Sequence, residues 1–227
     1  MKKHIVFVAV SLLLVVQGSC QPGNQKNKEA ETIAQKEQAP VQVKSTDGLS
    51  RAYFASGCFW CVEAVYESVK GVKESISGYS GGHTENPTYR SSNTGLTGHA
   101  EAVEIIYDAS VISFSDLVDV YFGSQNVTQV NGQGPDRGSQ YRSILFYQNA
   151  AEKQIIDEKI KLLNAELGGD KVAAQVLPFQ KFWVGEDYHQ DYEKLNPGNP
   201  YIQNVSIPRL RRFQKKFPHL LKDTAEH

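Results

Sequence analysis

The chain has few cysteines and almost no net charge, and each shortage excludes a class of protein. Three cysteines, Cys20, Cys58 and Cys61, occur among 227 residues, too few for a disulfide framework. Basic and acidic residues nearly cancel, 24 against 25, so no broad positive field exists to hold nucleic acid. The basic run Arg209 to Lys216 is typical of a helix with solvated charges. We therefore expect no nucleic-acid partner, and each cysteine needs its own explanation.

Residues 1–19 are typical of an export signal. Two lysines precede an apolar run, Ile5 to Val16, which has the length of a signal core and is too short for a good spanning helix. Small residues directly before Cys20 resemble the cleavage site of bacterial lipoproteins, although Gln17 stands where an aliphatic residue is usual. We expect an exported lipoprotein, anchored by lipid on Cys20 to a membrane of the periplasm or cell envelope. The alternative is an ordinary signal peptide cut nearby, which leaves Cys20 free.

The rest of the chain divides into a tether, a folded domain and a tail. Residues 20–49 are mostly polar with no apolar period, which predicts a flexible tether between anchor and domain. Hydrophobic residues make up 40% of the chain, enough for the core of one domain, expected at 50–217 and followed by a tail at 218–227.

Apolar periodicity predicts an α+β fold for this domain. The predicted strands are 52–56, 72–78, 101–107, 142–147 and 172–177, and the predicted helices are 61–70, 115–122, 150–167, 186–195 and 209–217. From 51 to 147 this is the order of a ferredoxin-like (split βαβ) sandwich. Two long connections, 79–100 and 123–141, are rich in Gly, Asn, Ser and Thr, and ordered loops of such length usually carry function.

Cys58 lies between a predicted strand and a predicted helix, in the sequence Gly57-Cys58-Phe59-Trp60-Cys61. Such a turn places the thiol near the unpaired N–H groups and positive dipole end of the helix. Both favour the thiolate, so we expect the pKa of the Cys58 thiol to fall. Phe59 and Trp60 could wall a pocket for an apolar group, or simply pack in the core. The C-x-x-C spacing alone allows redox chemistry, a metal site or two inert thiols.

Glu101 begins the strongest predicted strand. Because side chains alternate along a strand, Glu101 shares the apolar face while Glu104 points away. Burial raises the pKa of a carboxyl group, and a carboxyl that is protonated near neutral pH can act as a general acid. An exposed strand end without a role is the alternative. Tyr89 and Tyr141 lie in or at the end of the long connections, where their hydroxyls could bind a polar oxygen or only pack.

Six segments taken together resemble the peptide methionine sulfoxide reductase A family. Along the chain they are Gly57-Cys58-Phe59-Trp60, Gly78 to Gly82, Asn86 to Tyr89, Gly98 to Glu101, Ser139 to Arg142 and Asp187 to Tyr192. Several motifs in family order are far more specific than any one of them. The resemblance implies reduction of the S epimer of methionine sulfoxide, free or in oxidised proteins.

The resemblance also implies a role for each site residue. Cys58 attacks the sulfoxide sulfur, Glu101 protonates its oxygen, and Tyr89 and Tyr141 hold that oxygen. Phe59 and Trp60 enclose the substrate methyl group, and Asp136 and His189 match family positions near the site. Cys58 then becomes a sulfenic acid.

A second thiol is expected to condense with this sulfenic acid to a disulfide, which thioredoxin or a similar donor reduces. No metal or organic cofactor is required, and we expect a monomer. The chain departs from the family pattern here, because no cysteine follows Asn196, whereas many members carry resolving cysteines in a C-terminal tail. Cys61 stands where many members have Gly, and it is the internal partner that we expect for Cys58.

Two other functions remain open on the sequence alone. A thioredoxin-like disulfide oxidoreductase shares the strand, the C-x-x-C and the helix, but it needs neither a buried acid nor loop tyrosines. A zinc site would use Cys58 and Cys61 with two of His83, His99 and His189, and it gives no reason for two aromatic residues between its ligands.

Overall fold

Residues 38–223 are described by the computed structural model. Their strands are β1 (Ser50–Ser56), β2 (Val72–Ser80), β3 (Ala100–Tyr107), β4 (Gly132–Gln133), β5 (Asp136–Arg137), β6 (Ser143–Tyr147), β7 (Gln175–Pro178) and β8 (Phe182–Val184). Their helices are α1 (Phe59–Glu67), α2 (Tyr89–Ser92), α3 (Phe114–Gly123), α4 (Ala150–Leu167), α5 (Tyr192–Leu195) and α6 (Ile207–Lys216), the last continuing a π-helical turn, Ile202–Ser206. Short 3₁₀ turns lie at Ser139–Tyr141, Asp187–His189 and Pro218–Leu220.

Six strands form one mixed sheet in the order β7-β6-β1-β3-β2-β8, and β4 and β5 form a separate two-stranded pair. The strands pair antiparallel, except that β6 and β7 are parallel. In the register of β1 with β3, Phe54 lies opposite Val103, which carries Ser56 to the level of Glu101. Ser56 also lies opposite Ser143 of β6. The last residue of β1 and the first residues of β3 and β6 therefore lie side by side at one end of the strands. The residues that follow β1 and those that precede β3 and β6 lie close together there.

Helix α1 packs on one face of this sheet because its apolar residues recur at helical spacing. Val62, Val65, Tyr66 and Val69 are at most 2% exposed, as their spacing predicts. The other face buries a smaller cluster in which Tyr53 stacks on Phe179, with ring centroids 3.8 Å apart. Each fully buried large apolar side chain stabilises the fold by roughly 1.5–3 kcal/mol. The turn that carries Cys58 therefore lies between two packed elements, β1 and α1.

The expected mixture of helices and strands is confirmed, and most predicted elements are present. The predicted helix 186–195 is wrong as one element. It consists of a 3₁₀ turn and the short helix α5, separated by Asp191 with a positive φ of 52°. A side chain rarely adopts that left-handed conformation, and it interrupts helical hydrogen bonding. Strands β4 and β5 and helix α2 lie in the two long connections, and β8 lies between the predicted strand 172–177 and the predicted helix 186–195.

Two predicted boundaries need correction. Residues 38–49, assigned to the flexible tether, hydrogen-bond to the domain, since Val41 N donates to Phe179 O at 2.7 Å and Val43 N to Gln148 Oε1 at 2.9 Å. The predicted tail also begins too early, because Leu220 is 7% exposed and packs in the main core. Backbone hydrogen bonds hold Val41 and Val43 although the tether has the composition of a linker, and apolar burial holds Leu220.

The predicted signal peptide, Cys20 and residues 20–37 of the tether lie outside the described residues. Within 38–223, no helix is both long enough and apolar enough to cross a membrane.

Candidate active site

Cys58 lies in the sharp turn between β1 and α1. Gly57 makes this turn with a φ of +87°, and a Cβ built on it would lie 2.5 Å from Cβ of Gln133. A side chain at position 57 would therefore be strained and crowded. Cys58 is the N-cap of α1, and its carbonyl accepts a hydrogen bond from Val62 N at 3.3 Å. The turn places the thiol at the sheet edge where the strand ends meet, with 6% of the residue exposed.

The thiols of Cys58 and Cys61 have pKa values displaced in opposite directions. Burial raises the pKa of Cys58 well above its ordinary value, and the hydrogen bond to Cys61 and the negative charges of Cys61 and Glu101 raise it further. Our prediction of a lowered pKa for Cys58 is wrong, because burial disfavours the charged thiolate. A hydrogen bond from Cys58 is the main reason why the pKa of Cys61 is lowered to about 7, and the positive charge of Arg209 adds to it.

Glu101 is a buried carboxyl beside the nucleophile. The residue is 2% exposed, and its Oε2 accepts a hydrogen bond from Phe59 N, 3.1 Å away, directly after Cys58. Burial raises the pKa of Glu101 to about 8, with smaller contributions from the charges of Asp136 and Cys61. The burial and raised pKa expected from strand alternation are therefore confirmed. At neutral pH this group holds a proton that it can donate.

Tyr89 and Tyr141 come from the two long connections and meet near Glu101. The Tyr89 hydroxyl hydrogen-bonds with that of Tyr141, and burial raises the pKa of both, aided by the negative charge of Glu101. Tyr89 is held at the start of α2, where its N–H donates to Oε1 of Glu186 at 2.8 Å. Two protonated hydroxyls are thus presented beside the carboxyl and the Cys58 thiol.

An aromatic cluster lines the other side of the turn. Phe59 is completely buried, and its ring centroid lies 4.8 Å from that of His189. Trp60 is half-buried, stacks on Tyr192 at 3.8 Å, and donates from Nε1 to Nδ1 of His189 at 3.1 Å. Burial lowers the pKa of His189, which favours the neutral imidazole. Phe59 is therefore the buried part of this cluster, whereas Trp60 and Tyr89 are partly exposed and form its accessible surface.

Cys61 faces a different set of groups. Its Sγ lies 3.7 Å from the hydroxyl of Tyr201, and that hydroxyl donates to Oδ2 of Asp136 at 2.6 Å. Asp136, expected beside the substrate, thus belongs to a chain of contacts that ends on Cys61. Tyr201 could not be recognised from the sequence, because a lone tyrosine in a C-terminal segment more often only packs.

Arg209 is a second functional candidate that the sequence hid. Its basic run predicted solvated charges, yet the residue is 7% exposed, and its guanidinium donates to Ser56 O at 2.9 Å and Ser124 O at 2.8 Å. These carbonyls come from distant segments, so only the tertiary fold shows that they need a donor. The prediction of solvation is wrong for this one residue of the run.

The cysteines and histidines do not converge into the metal site considered above. His99 is held apart by hydrogen bonds to Gly82 N at 3.2 Å and Thr84 O at 2.7 Å. In the described part of the chain, the one group of three or more possible ligand side chains is Glu63, Glu67 and Asp191, whose ligand atoms lie within 4.8 Å of one another. The geometry therefore gives the two thiols acid, hydroxyl and aromatic neighbours instead of imidazole ligands.

Comparison with known proteins agrees with this chemistry. A family model described as peptide methionine sulfoxide reductase matches residues 50–221. The peptide methionine sulfoxide reductase MsrA of Pasteurella multocida is 46% identical over 172 residues, covering 76% of this chain and 98% of that protein. The protein of the same name from Saccharolobus solfataricus is 43% identical over 171 residues, covering 75% and 96%.

Two solved structures are similar as well. Methionine sulfoxide reductase A of Corynebacterium diphtheriae has a TM-score of 0.60 and 29% identity, covering 70% of this chain and 83% of that one. Mxr1 from Saccharomyces cerevisiae in reduced form has a TM-score of 0.64 and 29% identity, covering 69% and 91%. A thioredoxin-like oxidoreductase, the rival that C-x-x-C allows, is therefore the wrong interpretation. The chain belongs to the peptide methionine sulfoxide reductase family, whose reaction is the reduction of methionine sulfoxide.

Proposed function

We propose that the chain reduces the S epimer of methionine sulfoxide, free and in oxidised proteins, with Cys58 as nucleophile and Glu101 as acid. The observation that carries the proposal is the meeting of a thiol, a buried protonated carboxyl and two tyrosine hydroxyls at one sheet edge. An assay on the two separated sulfoxide epimers tests it directly. Turnover of the S epimer alone is expected.

The chemical step needs a proton on the sulfoxide oxygen, which is otherwise a poor leaving group. Cys58 Sγ attacks the sulfoxide sulfur, the oxygen passes to Cys58 Sγ as its S–O bond to methionine breaks, and methionine leaves with the two electrons that the thiol loses. Glu101 donates its proton to the oxygen and recovers one from the Cys58 thiol, so the step needs no net proton. Tyr89 and Tyr141 donate hydrogen bonds to that oxygen while charge develops on it. The product on the enzyme is the Cys58 sulfenic acid.

Substrate orientation is assigned to the aromatic cluster. The methyl group of the sulfoxide is apolar, and the partly exposed ring of Trp60 above the buried ring of Phe59 offers it a surface. Trp60 is fixed between Tyr192 and His189, so the surface is already formed before substrate binds. The aromatic surface contacts the methyl group on one side, and Tyr89 and Tyr141 bind the oxygen on the other. Only one epimer can make both contacts at once.

The resetting step is assigned to Cys61. In the reduced enzyme a hydrogen bond from Cys58 is the main cause that lowers the pKa of Cys61 to about 7, and the positive charge of Arg209, which remains after Cys58 is oxidised, also favours the thiolate that attacks a sulfenic acid. The Cys61 thiolate attacks Cys58 Sγ, the S–O bond of the sulfenic acid breaks, and a Cys58–Cys61 disulfide forms, while the leaving hydroxyl takes one proton from solvent and departs as water. A thioredoxin-like donor then reduces this disulfide in two thiol exchanges.

Replacing Cys61 by Ser is expected to separate reduction from resetting. The variant should release one methionine per enzyme, because Cys58 and the acid remain, but it should stall when thioredoxin is the donor. Small thiols such as dithiothreitol should restore turnover by reducing the sulfenic acid directly. Quenched-flow measurement of methionine, with thiol titration of the product, checks both steps. Cycling with thioredoxin at the wild-type rate would show that Cys61 is not the resolving residue.

We propose further that the chain is an exported lipoprotein, with Cys20 lipidated after removal of residues 1–19. The apolar run before Cys20 and the polar stretch after it support this arrangement. Val41 and Val43 already hydrogen-bond to the domain, so the tether in this proposal is shorter than the sequence suggests.

Replacing Cys20 by Ala should move the protein from the membrane fraction to the soluble exported fraction, because the lipid anchor can no longer be attached. Fractionation with immunoblotting measures the shift, and Cys61→Ser serves as a cysteine control that should stay at the membrane. An unmodified Cys20 thiol in mass spectrometry of the wild type would contradict the anchor and leave the enzymatic proposal unaffected.

The core is further proposed to follow the split βαβ plan. Strand order β6-β1-β3-β2, with α1 after β1 and α3 after β3, supports it. In this proposal β7 and β8 extend the sheet at its two edges.

A further inference from the structure

A groove of about 740 Å³ opens beside Cys61 on the surface formed by α6 and the 123–136 segment. Cys61, Tyr201 and Asp136 lie at one end, and Arg212 and Lys216 of α6 line the wall. Cys58 and the aromatic residues Phe59 and Trp60 do not line it. The groove therefore reaches the second thiol by a route separate from the proposed substrate surface.

The groove is cationic. Arg209 is buried in its wall and donates to backbone carbonyls and a serine, with no carboxylate partner among residues 38–223. Arg212 and Lys216 are exposed, and neither forms an ion pair with a described residue. Asp136 is the one acidic residue in the lining, and its Oδ2 already accepts the Tyr201 hydroxyl. Three cationic residues thus line the groove against one acidic residue, and the charges of Arg212 and Lys216 are the two that are exposed.

We propose that this groove binds a small anionic thiol, of the size and charge of a tripeptide thiol with two carboxylates, which acts as a second electron donor through Cys61. The volume lies in the range of small-molecule pockets, whereas a protein donor docks through a flatter and larger surface. Carboxylates of the thiol pair with Arg212 and Lys216, and its sulfur is directed to Cys61. The inference rests on the Cys58–Cys61 disulfide of the proposed function.

The exchange is balanced by two molecules of the thiol. The first gives up its proton to solvent and, as thiolate, attacks Cys61 Sγ; the Cys58–Cys61 bond breaks, and Cys58 leaves as a thiolate that takes one proton from solvent, so Glu101 keeps its own. A mixed disulfide remains on Cys61. The second thiol attacks this mixed disulfide, releases the oxidised dimer of the donor, and restores the Cys61 thiolate. The donor loses two electrons and the enzyme gains them.

Helix α6 offers a matched pair of variants that tests the groove. Arg212→Glu/Lys216→Glu reverses the charges of the wall, while Arg211→Glu/Lys215→Glu reverses two exposed cations of the same helix that do not line the groove. With saturating methionine sulfoxide, kcat/KM is measured for reduced glutathione, 2-mercaptoethanol and cysteamine as anionic, neutral and cationic donors. The full mature chain is used throughout.

The wall variant should lower kcat/KM for glutathione about tenfold, since two partly exposed charge pairs become repulsive. It should leave the value for 2-mercaptoethanol unchanged and raise that for cysteamine, and added salt should reduce both effects. The control variant should match the wild type with all three donors. Equal responses of the two variants, no response to donor charge, or a loss confined to thioredoxin would each overturn the groove as a thiol site.

Single-turnover release of methionine without any donor separates this inference from the proposed function. If the wild type releases no methionine, the proposed function fails. If it releases one equivalent and both α6 variants still behave alike toward glutathione, only the groove inference fails.

Discussion

Cys58→Ser is expected to abolish methionine sulfoxide reduction, lowering the rate on the order of 10⁴-fold or more, the scale for loss of a covalent nucleophile. A serine hydroxyl at this position cannot form the sulfenic acid, because oxygen does not accept the sulfoxide oxygen as sulfur does. The Cys58 residue is buried, and Ser is smaller, so the fold should persist. Methionine release from the S epimer in a single turnover is the measurement.

The matched control is Cys61→Ser, which removes the neighbouring buried thiol three positions along α1 and should still release one methionine per enzyme. Thermal unfolding of both variants shows that each remains folded. If Cys58→Ser reduced the sulfoxide while Cys61→Ser did not, the two thiols would have exchanged roles. The control is needed because the pKa of Cys61, about 7, is the lower of the two, so Cys61 is the thiol that ionises more readily.

The elements that position the site could be predicted because their signals are local. Val62, Val65 and Val69 recur at helical spacing, and α1 buries all three. Alternation along β3 placed Glu101 on a buried face and Glu104 on the other, where its Oε1 accepts the Tyr53 hydroxyl at 2.6 Å. Helical spacing and strand alternation can be recognised from neighbouring residues alone, without knowledge of residues far along the chain.

The electrostatics of the site could not be predicted from the same local signals. A cysteine at a helix start predicts a low pKa, but the burial of Cys58 depends on how β1, β3 and α1 close around it. Arg209 was hidden for the same reason, because its acceptors lie 85 and 153 positions away in the chain. Burial and long-range partners are properties of the fold, and no spacing rule contains them.

Glu101→Gln is expected to slow methionine release about 10²-fold or more, the usual scale for loss of a general acid. Gln keeps the size of the side chain, and its amide oxygen can still accept from Phe59 N, so the turn at Cys58 should be preserved. It cannot give a proton to the sulfoxide oxygen or take one from the thiol. Glu104→Gln is a matched control that should keep the wild-type rate, because it makes the same change on the same strand, at a carboxylate on the other face that accepts the Tyr53 hydroxyl.

The raised pKa of Glu101 also predicts how the single-turnover rate changes with pH. Burial raises the pKa of Glu101 to about 8, so the acid form is present below that pH and is lost as pH rises through it. The single-turnover rate of the wild type should therefore fall above about pH 8. The Gln variant should be slow at every pH and lack this fall. A fall of equal position and depth in the variant would assign the titration to another group.

Stability should change with pH through the same group. The folded pKa lies above the unfolded value of 4.5, so the favourable contribution of the neutral carboxyl is complete below 4.5 and is lost as pH rises to about 8. Glu101→Gln has no such loss, so its free energy of unfolding relative to the wild type should increase between those two pH values and then level off. Urea titrations at pH 4.5, 7 and 9 measure the difference. A variant that gained stability in this range but kept the wild-type rate would show that Glu101 is a buried acid without a catalytic role.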